Sequence, residues 1–186
     1  LTRVFNKNLV AVDHIDFTVK EGEIFGFLGP NGAGKTTTIN MLITILRPTE
    51  GSGIVCGHDI MKDASGVRDC IGVVPQEYTA DEDLTGLENV ILCADLYGIP
   101  RDESKKRAEE LLALVELTKF KDKQVATYSG GMRRRLELAC GLINRPHVFF
   151  LDEPTLGLDV QTRDATWNYI KLLKKQFGMT IFMTTH

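Results

Sequence analysis

Apolar positions along the chain recur with two different periods, and each period predicts a kind of element. Leu9-Val10-Ala11-Val12 and Ile15-Asp16-Phe17-Thr18-Val19 are short segments between polar residues, and Lys20-Glu21-Gly22 is a turn signal, so residues 1 to 28 are expected to hold antiparallel strands. Glu23-Ile24-Phe25-Gly26-Phe27-Leu28 reads as a buried strand, and the glycine-rich stretch after it opens an apolar helix from Gly34 to near Leu46. Arg47-Pro48-Thr49-Glu50-Gly51 stops that helix, because neither proline nor glycine favours its continuation. A short strand is expected over 53–56, and an apolar one over Ile71-Gly72-Val73-Val74, closed by Pro75 and Gln76.

From Thr79 to Thr127 the period lengthens to that of helices: Leu84 to Tyr97, then Asp102 to Leu117. In the second, Ala108, Leu111, Leu112 and Val115 share one face at i, i+3, i+4 and i+7, and Asp102 and Glu103 suit the positive end of the helix dipole. Ser129 is placed to cap a further helix carrying Met132, Leu136, Ala139, Cys140 and Ile143, with Pro146 after its end. Val148-Phe149-Phe150-Leu151 is wholly apolar, as a strand covered on both faces should be; a helix over Val160 to Phe177 and a strand over Thr180 to Thr185 complete the pattern.

Apolar strands alternating with helices predict an α/β protein with a parallel sheet, whose ligands bind beyond the carboxyl ends of the strands. Four polar groups are expected at that edge. The glycine-rich loop follows one strand, Gln76 a second, Asp152 and Glu153 a third, and His186 a fourth.

Composition narrows the reading. A chain of 186 residues, 43% hydrophobic and 8% aromatic, suits one domain, or one domain with an inserted lobe. The net charge of −3 argues against a nucleic-acid surface, and the one dense basic cluster, Arg133-Arg134-Arg135, is expected on a solvated helix face. Cys56, Cys70, Cys93 and Cys140 form no metal-ligand spacing and read as reduced thiols of a cytosolic protein. No apolar run approaches the roughly 18 residues that cross a bilayer, so membrane contact is expected only through a partner. The chain starts at Leu1 and stops on His186, and both ends are expected to be cut from a longer protein.

The chemistry is concentrated in Gly29-Pro30-Asn31-Gly32-Ala33-Gly34-Lys35-Thr36-Thr37, which fits the phosphate-binding pattern GxxxxGK[ST]. Gly29 and Gly34 let backbone N–H groups approach phosphate oxygens, Lys35 reaches the outer phosphates, and the Thr36 hydroxyl can ligate Mg²⁺. The expected ligand is a nucleoside triphosphate. With Asp152 as metal partner and Glu153 as general base, the set suits phosphoryl transfer to water.

The order of these pieces resembles the nucleotide-binding domain of ATP-binding cassette (ABC) transporters over nearly the whole chain. The discriminating piece is Tyr128-Ser129-Gly130-Gly131-Met132, similar to the family signature LSGGQ. The resemblance implies a P-loop NTPase three-layer core with a parallel sheet, an N-terminal antiparallel β subdomain and an α-helical subdomain inserted over 77–145, the core being 1–76 and 146–186. It implies ATP and Mg²⁺ as ligands. Phe5 would stack on adenine, and Asn31, Gly32, Ala33 and Thr37 would join Gly29, Gly34, Lys35 and Thr36 around the phosphates. Gln76 would serve the metal with Thr36 and Asp152, and would assist hydrolysis with Lys35, Glu153 and the switch histidine His186.

Ser129 is not at a strand end, and the resemblance supplies its place: two domains pair head to tail, and each offers Ser129, Gly130, Gly131 and Asp159 to the nucleotide held by the other. It also implies a transmembrane permease subunit as partner, at the cytoplasmic face of the cell membrane. Tyr128 and Met132, with Leu84-Thr85-Gly86 and Glu88-Asn89, are similar to the drug and antibiotic export branch. Three alternatives stand beside these readings. Phe5 fits a core aromatic equally well, Asp159 fits a helix cap, and a soluble ABC-type ATPase used as a mechanical or regulatory switch would carry the same motifs.

Overall fold

In the computed structural model, which describes residues 1–6 and 8–185, the chain opens with an antiparallel pair, β1 (Arg3–Phe5) and β2 (Leu9–Val12). β3 (Ile24–Leu28) leads into α1 (Lys35–Leu42), then a small hairpin of β4 (Ile54–Val55) and β5 (His58–Asp59). Next come α2 (Ala64–Cys70), β6 (Ile71–Val74), α3 (Gly86–Leu96), α4 (Arg101–Leu114) and α5 (Gly130–Leu142). β7 (Val148–Leu151), α6 (Val160–Phe177) and β8 (Thr180–Thr185) follow.

The four core strands form one sheet in the order β3-β8-β7-β6, parallel throughout. Because side chains alternate across a strand, the apolar runs of β7 and β8 divide between two cores. Phe149, Leu151, Ile181 and Met183 face one of them, with α3, α4, α5 and Ile170 and Leu173 of α6. Phe150 and Phe182 face the other, with Ile39 and Leu42 of α1, Val55 of β4 and Val67 of α2. A helix layer on each face makes the three-layer architecture, and explains why β7 has no polar position.

Phe182 is the hub of the second core. Its ring centroid lies 5.9, 5.4, 5.8 and 5.4 Å from those of Phe17, Phe25, Phe27 and Phe150. Residues 15–19 were expected to be a strand. They alternate in burial as a strand would, and Phe17 reaches this cluster, but the partner of β2 is β1, a three-residue segment too short to show a period. β3 is an edge strand among the described residues rather than a fully buried one, and Leu28 is 69% exposed.

α1 ends at Leu42, one turn before the expected stop. Three β-branched residues, Ile43-Thr44-Ile45, come next and resist helix, and Thr44 turns the backbone left-handed at φ 67°. β4 lies within the strand expected over 53–56, whereas β5 and α2 carried no clear pattern. The hairpin turns on Cys56 and Gly57, both at positive φ (51° and 83°), and a cysteine hides what an Asn-Gly pair would announce. α6 and β8 have the expected bounds, and Ala108, Leu111, Leu112 and Val115 are buried as one face.

Candidate functional site

The loop between β3 and α1 is shaped by two left-handed glycines, Gly32 and Gly34, each at φ 81°. Gly34 admits no other residue, since a β-carbon there would sit 2.2 Å from the carbonyl oxygen of Ala11 on β2. It is the N-cap of α1 without a side-chain cap, so the first N–H groups of that helix face the loop unclaimed by a capping side chain. An anion is the natural acceptor for them. Lys35 begins the helix and is 5% exposed. Its ammonium donates to the carbonyls of Gly29 at 2.6 Å and Pro30 at 3.1 Å, and lies 3.1 Å from Oε1 of Glu153.

A cleft of about 210 Å³ opens here, lined by Ala11, by every residue from Asn31 to Thr37, and by Gln76 and Glu153. The parallel register brings these together. The N–H of Asp152 donates to the carbonyl of Val74 at 2.9 Å, which sets the end of β7 beside the end of β6. Glu153 turns into the left-handed region at φ 47°, a conformation strained for a side chain of its size. Thr184 of β8, fully buried, holds the turn: its Oγ1 accepts the N–H of Glu153 at 2.8 Å and donates to Oδ1 of Asp152 at 2.5 Å.

Gln76, Glu153, Lys35, Thr36, Thr37, Asn31, Gly32, Ala33 and Gly34 thus share one cleft, with Gly29 bound to the Lys35 ammonium and Asp152 directly behind Glu153. His186 lies outside the described residues. Phe5 ends β1 away from the cleft lining, half-buried, with the Arg3 guanidinium 4.6 Å from its ring centroid. Ser129, Gly130 and Gly131 do not line the cleft either. Ser129 caps α5 by accepting the N–H of Met132 at 3.3 Å, and a β-carbon on Gly131 would meet the Thr162 methyl at 2.9 Å. Asp159 is the N-cap of α6, accepting from the Thr162 N–H at 3.0 Å and hydroxyl at 2.6 Å, which holds its carboxyl below the usual range.

Size alone would mislead. A larger cleft, about 380 Å³, lies among Phe120, Lys123, Gln124, Thr127 and Met132, with no strand end and no acidic group in its lining. The sheet-edge rule picks the smaller one.

Arg134 corrects an expectation. Instead of facing solvent, it is 3% exposed and donates to the carbonyls of Pro154 (2.9 Å), Pro75 (2.8 Å) and Asp152 (3.2 Å). Burial lowers the pKa of its guanidinium, against the opposing pull of Glu137. Thr184 and Arg134 were the residues the sequence did not announce. A hydroxyl inside an apolar strand and an arginine among three look unremarkable until the strand ends are assembled.

Comparison with known proteins adds three findings. A family model described as ABC transporter matches residues 12–156. Over 177 residues the chain is 45% identical to the doxorubicin resistance ATP-binding protein DrrA of Mycobacterium tuberculosis, covering 95% of this chain and 53% of that protein. It is 43% identical to the Nod factor export ATP-binding protein I of Cupriavidus metallidurans, covering 95% of this chain and 58% of that one. The chain therefore spans about half the length of the curated relatives it matches. Among solved structures, a dimeric post-hydrolysis state of the ATP-binding cassette MJ0796 bound to ADP and Pi superposes with a TM-score of 0.86 at 30% identity, over 100% of this chain and 84% of that one.

Proposed function

The chain belongs to the ABC transporter family, and from that premise we propose that it is the ATP-binding and hydrolysing part of an exporter that moves a small drug-, antibiotic- or lipid-like molecule through a separate membrane subunit. The observation that carries the reading is the buried Lys35–Glu153 pair at the mouth of a glycine-lined phosphate loop. A lysine there neutralises phosphate charge, and a carboxylate two strands away is placed to face the outermost phosphate. General-base catalysis by such a group is worth roughly 10² to 10⁴ in rate.

The residues divide the work. Backbone N–H groups of 31–37 and the α1 N-terminus hold the phosphates, and Lys35 exchanges one of its three acceptors for a phosphate oxygen. Glu153 takes the proton of the attacking water, Gln76 and His186 orient that water, and Phe5 offers its open face to adenine. The oxygen donors Thr36, Gln76 and Asp152 suit Mg²⁺, which takes one or two protein oxygens with phosphates and water. Bound there, Mg²⁺ neutralises charge on the phosphates.

The dimeric neighbour bound to ADP and Pi supports pairing of two copies, and in this proposal they pair head to tail, so that Ser129, Gly130, Gly131 and Asp159 of one copy close on the nucleotide of the other. Among the described residues no helix is long and apolar enough to cross a membrane, and in this proposal the separate membrane subunit forms the path for the substrate. The domain works at the cytoplasmic face, held to the membrane by its permease partner. The relatives' names, doxorubicin resistance and Nod factor export, support export as the direction.

The test is Glu153→Gln in the full-length protein. ATP binding persists, hydrolysis falls at least about a hundredfold, and an ATP-dependent dimer accumulates on size exclusion. Turnover near that of the parent protein would remove Glu153 from the base role.

A further inference from the structure

Two charged side chains on α5 are buried and take no part in the scheme above. Arg134 is 3% exposed and so is Glu137, one helical turn on. Burying an arginine and a glutamate side by side is costly unless every charge is met by hydrogen bonds. Both are met: Arg134 by the loops after β6 and β7, and Glu137 by the loop after β6 alone.

Arg134 grips carbonyls. Nη1 donates to Pro75, one residue before Gln76; Nη2 donates to Asp152 and Nε to Pro154, the residues on either side of Glu153. Glu137 grips amides. Its Oε1 accepts the N–H groups of Thr79 at 2.7 Å and Ala80 at 2.9 Å, and its Oε2 accepts the Thr79 hydroxyl at 3.0 Å. A third link lies at the start of the helix, where the Tyr78 hydroxyl donates to the carbonyl of Gly130 at 3.3 Å. The segment holding Gln76 is therefore tied to α5 before and after that residue, and the turn holding Glu153 is tied on both sides by one planar guanidinium. Such a fork fixes direction as well as distance, which an ammonium could not.

We propose that Arg134 and Glu137 are positioning residues that lock Gln76 and Glu153 to the helix opening with Ser129-Gly130-Gly131. When a partner's nucleotide pulls or releases the start of α5, the carbonyls of 75, 152 and 154 move with it, and the general base is aligned only when α5 is seated. The inference rests on the ATPase reading given above and deepens it, since it states how the far side of the domain controls its own hydrolytic edge. Neither side chain lines the phosphate-loop cleft.

The experiment is Arg134→Gln and Arg134→Lys in the full-length protein, alone and combined with Glu153→Gln. Turnover is measured beside the Kd for a non-hydrolysable ATP analogue. Arg134→Gln is expected to lower kcat about ten- to a hundredfold while Kd changes less than about threefold, as for a group that aligns a catalyst without binding substrate. Arg134→Lys keeps the charge but not the fork and gives no recovery. In the Glu153→Gln background the Arg134 substitution adds less than about a twofold loss, because it acts through the base already removed. Independent, multiplicative losses in the double variant, a rise in Kd beyond about threefold alongside the fall in kcat, or an unchanged kcat would each overturn the proposal.

Amide hydrogen exchange separates this inference from the ATPase reading. Arg134→Gln should speed exchange at Glu153, and Glu137→Gln at Thr79 and Ala80, each at least about tenfold, whether or not the protein hydrolyses ATP. A parent protein without turnover would sink the ATPase reading alone, whereas unchanged exchange in both variants would sink the coupling.

Discussion

Replacing Thr184 by valine removes one hydroxyl and nearly preserves side-chain shape, at a position that is fully buried between β7 and the strand end. That hydroxyl serves two groups at once. It accepts the N–H of Glu153 at 2.8 Å and donates to Oδ1 of Asp152 at 2.5 Å. Without it the amide of Glu153 loses its buried hydroxyl acceptor, which costs about 1–3 kcal/mol, and the carboxylate of Asp152 loses a bond worth about 1.5–3 kcal/mol. The two losses share one group and are not fully additive, so Thr184→Val should destabilise by about 2–4 kcal/mol. For a domain of this size each kcal/mol moves the melting temperature by about 2–4 °C, giving a fall of about 4–16 °C. The left-handed turn at Glu153 also loses its anchor, and turnover should fall about tenfold or more.

Thr184→Ser is the control. It keeps the hydroxyl and loses a methyl, so it should cost about 1 kcal/mol through packing and leave turnover within a few-fold. Urea unfolding with a common m-value, run beside ATPase assays, distinguishes the two. A valine variant within about 0.5 kcal/mol of the parent, or a serine variant as inactive as the valine one, would refute the relay.

Gly34→Ala should destroy nucleotide binding: the new β-carbon meets the Ala11 carbonyl at 2.2 Å and the backbone must leave φ 81°, so an isothermal titration showing unchanged ATP affinity would contradict the loop geometry. The Asp159 cap has a defined pH window. Its carboxyl is held below the usual carboxylate range, chiefly by the Thr162 hydroxyl, so the cap's contribution is fully present above the ordinary aspartate pKa and is lost as pH falls through the lowered folded-state pKa. Exchange protection at the Thr162 amide, followed from about pH 6 downward relative to the intrinsic rate, should be lost with a midpoint below that of an unstructured aspartate, and a midpoint at or above that of an unstructured aspartate would refute it.

Much of this molecule was legible from residue order. Apolar runs located β6, β7 and β8, helical periodicity located α3 to α6, and local chemistry named the phosphate loop, Gln76 and Asp152-Glu153 before any pairing was known. Those features are local, because strand periodicity, capping and glycine freedom depend on neighbours in the chain. Less was legible where a segment was short or its signal disguised, as with β1 and the Cys56-Gly57 hairpin.

What only the tertiary structure decided are the relations between distant segments. The order β3-β8-β7-β6 puts Thr184 against Asp152 and Glu153 from 32 and 31 residues away, and brings Lys35 to 3.1 Å from Glu153. The same assembly turns Arg134 inward, where burial makes three backbone carbonyls its partners. The sequence alone established that a triphosphate loop and an acidic strand end exist. Whether they meet, and what holds them in line, depends on strand order and on desolvation, which arise only once the sheet is formed.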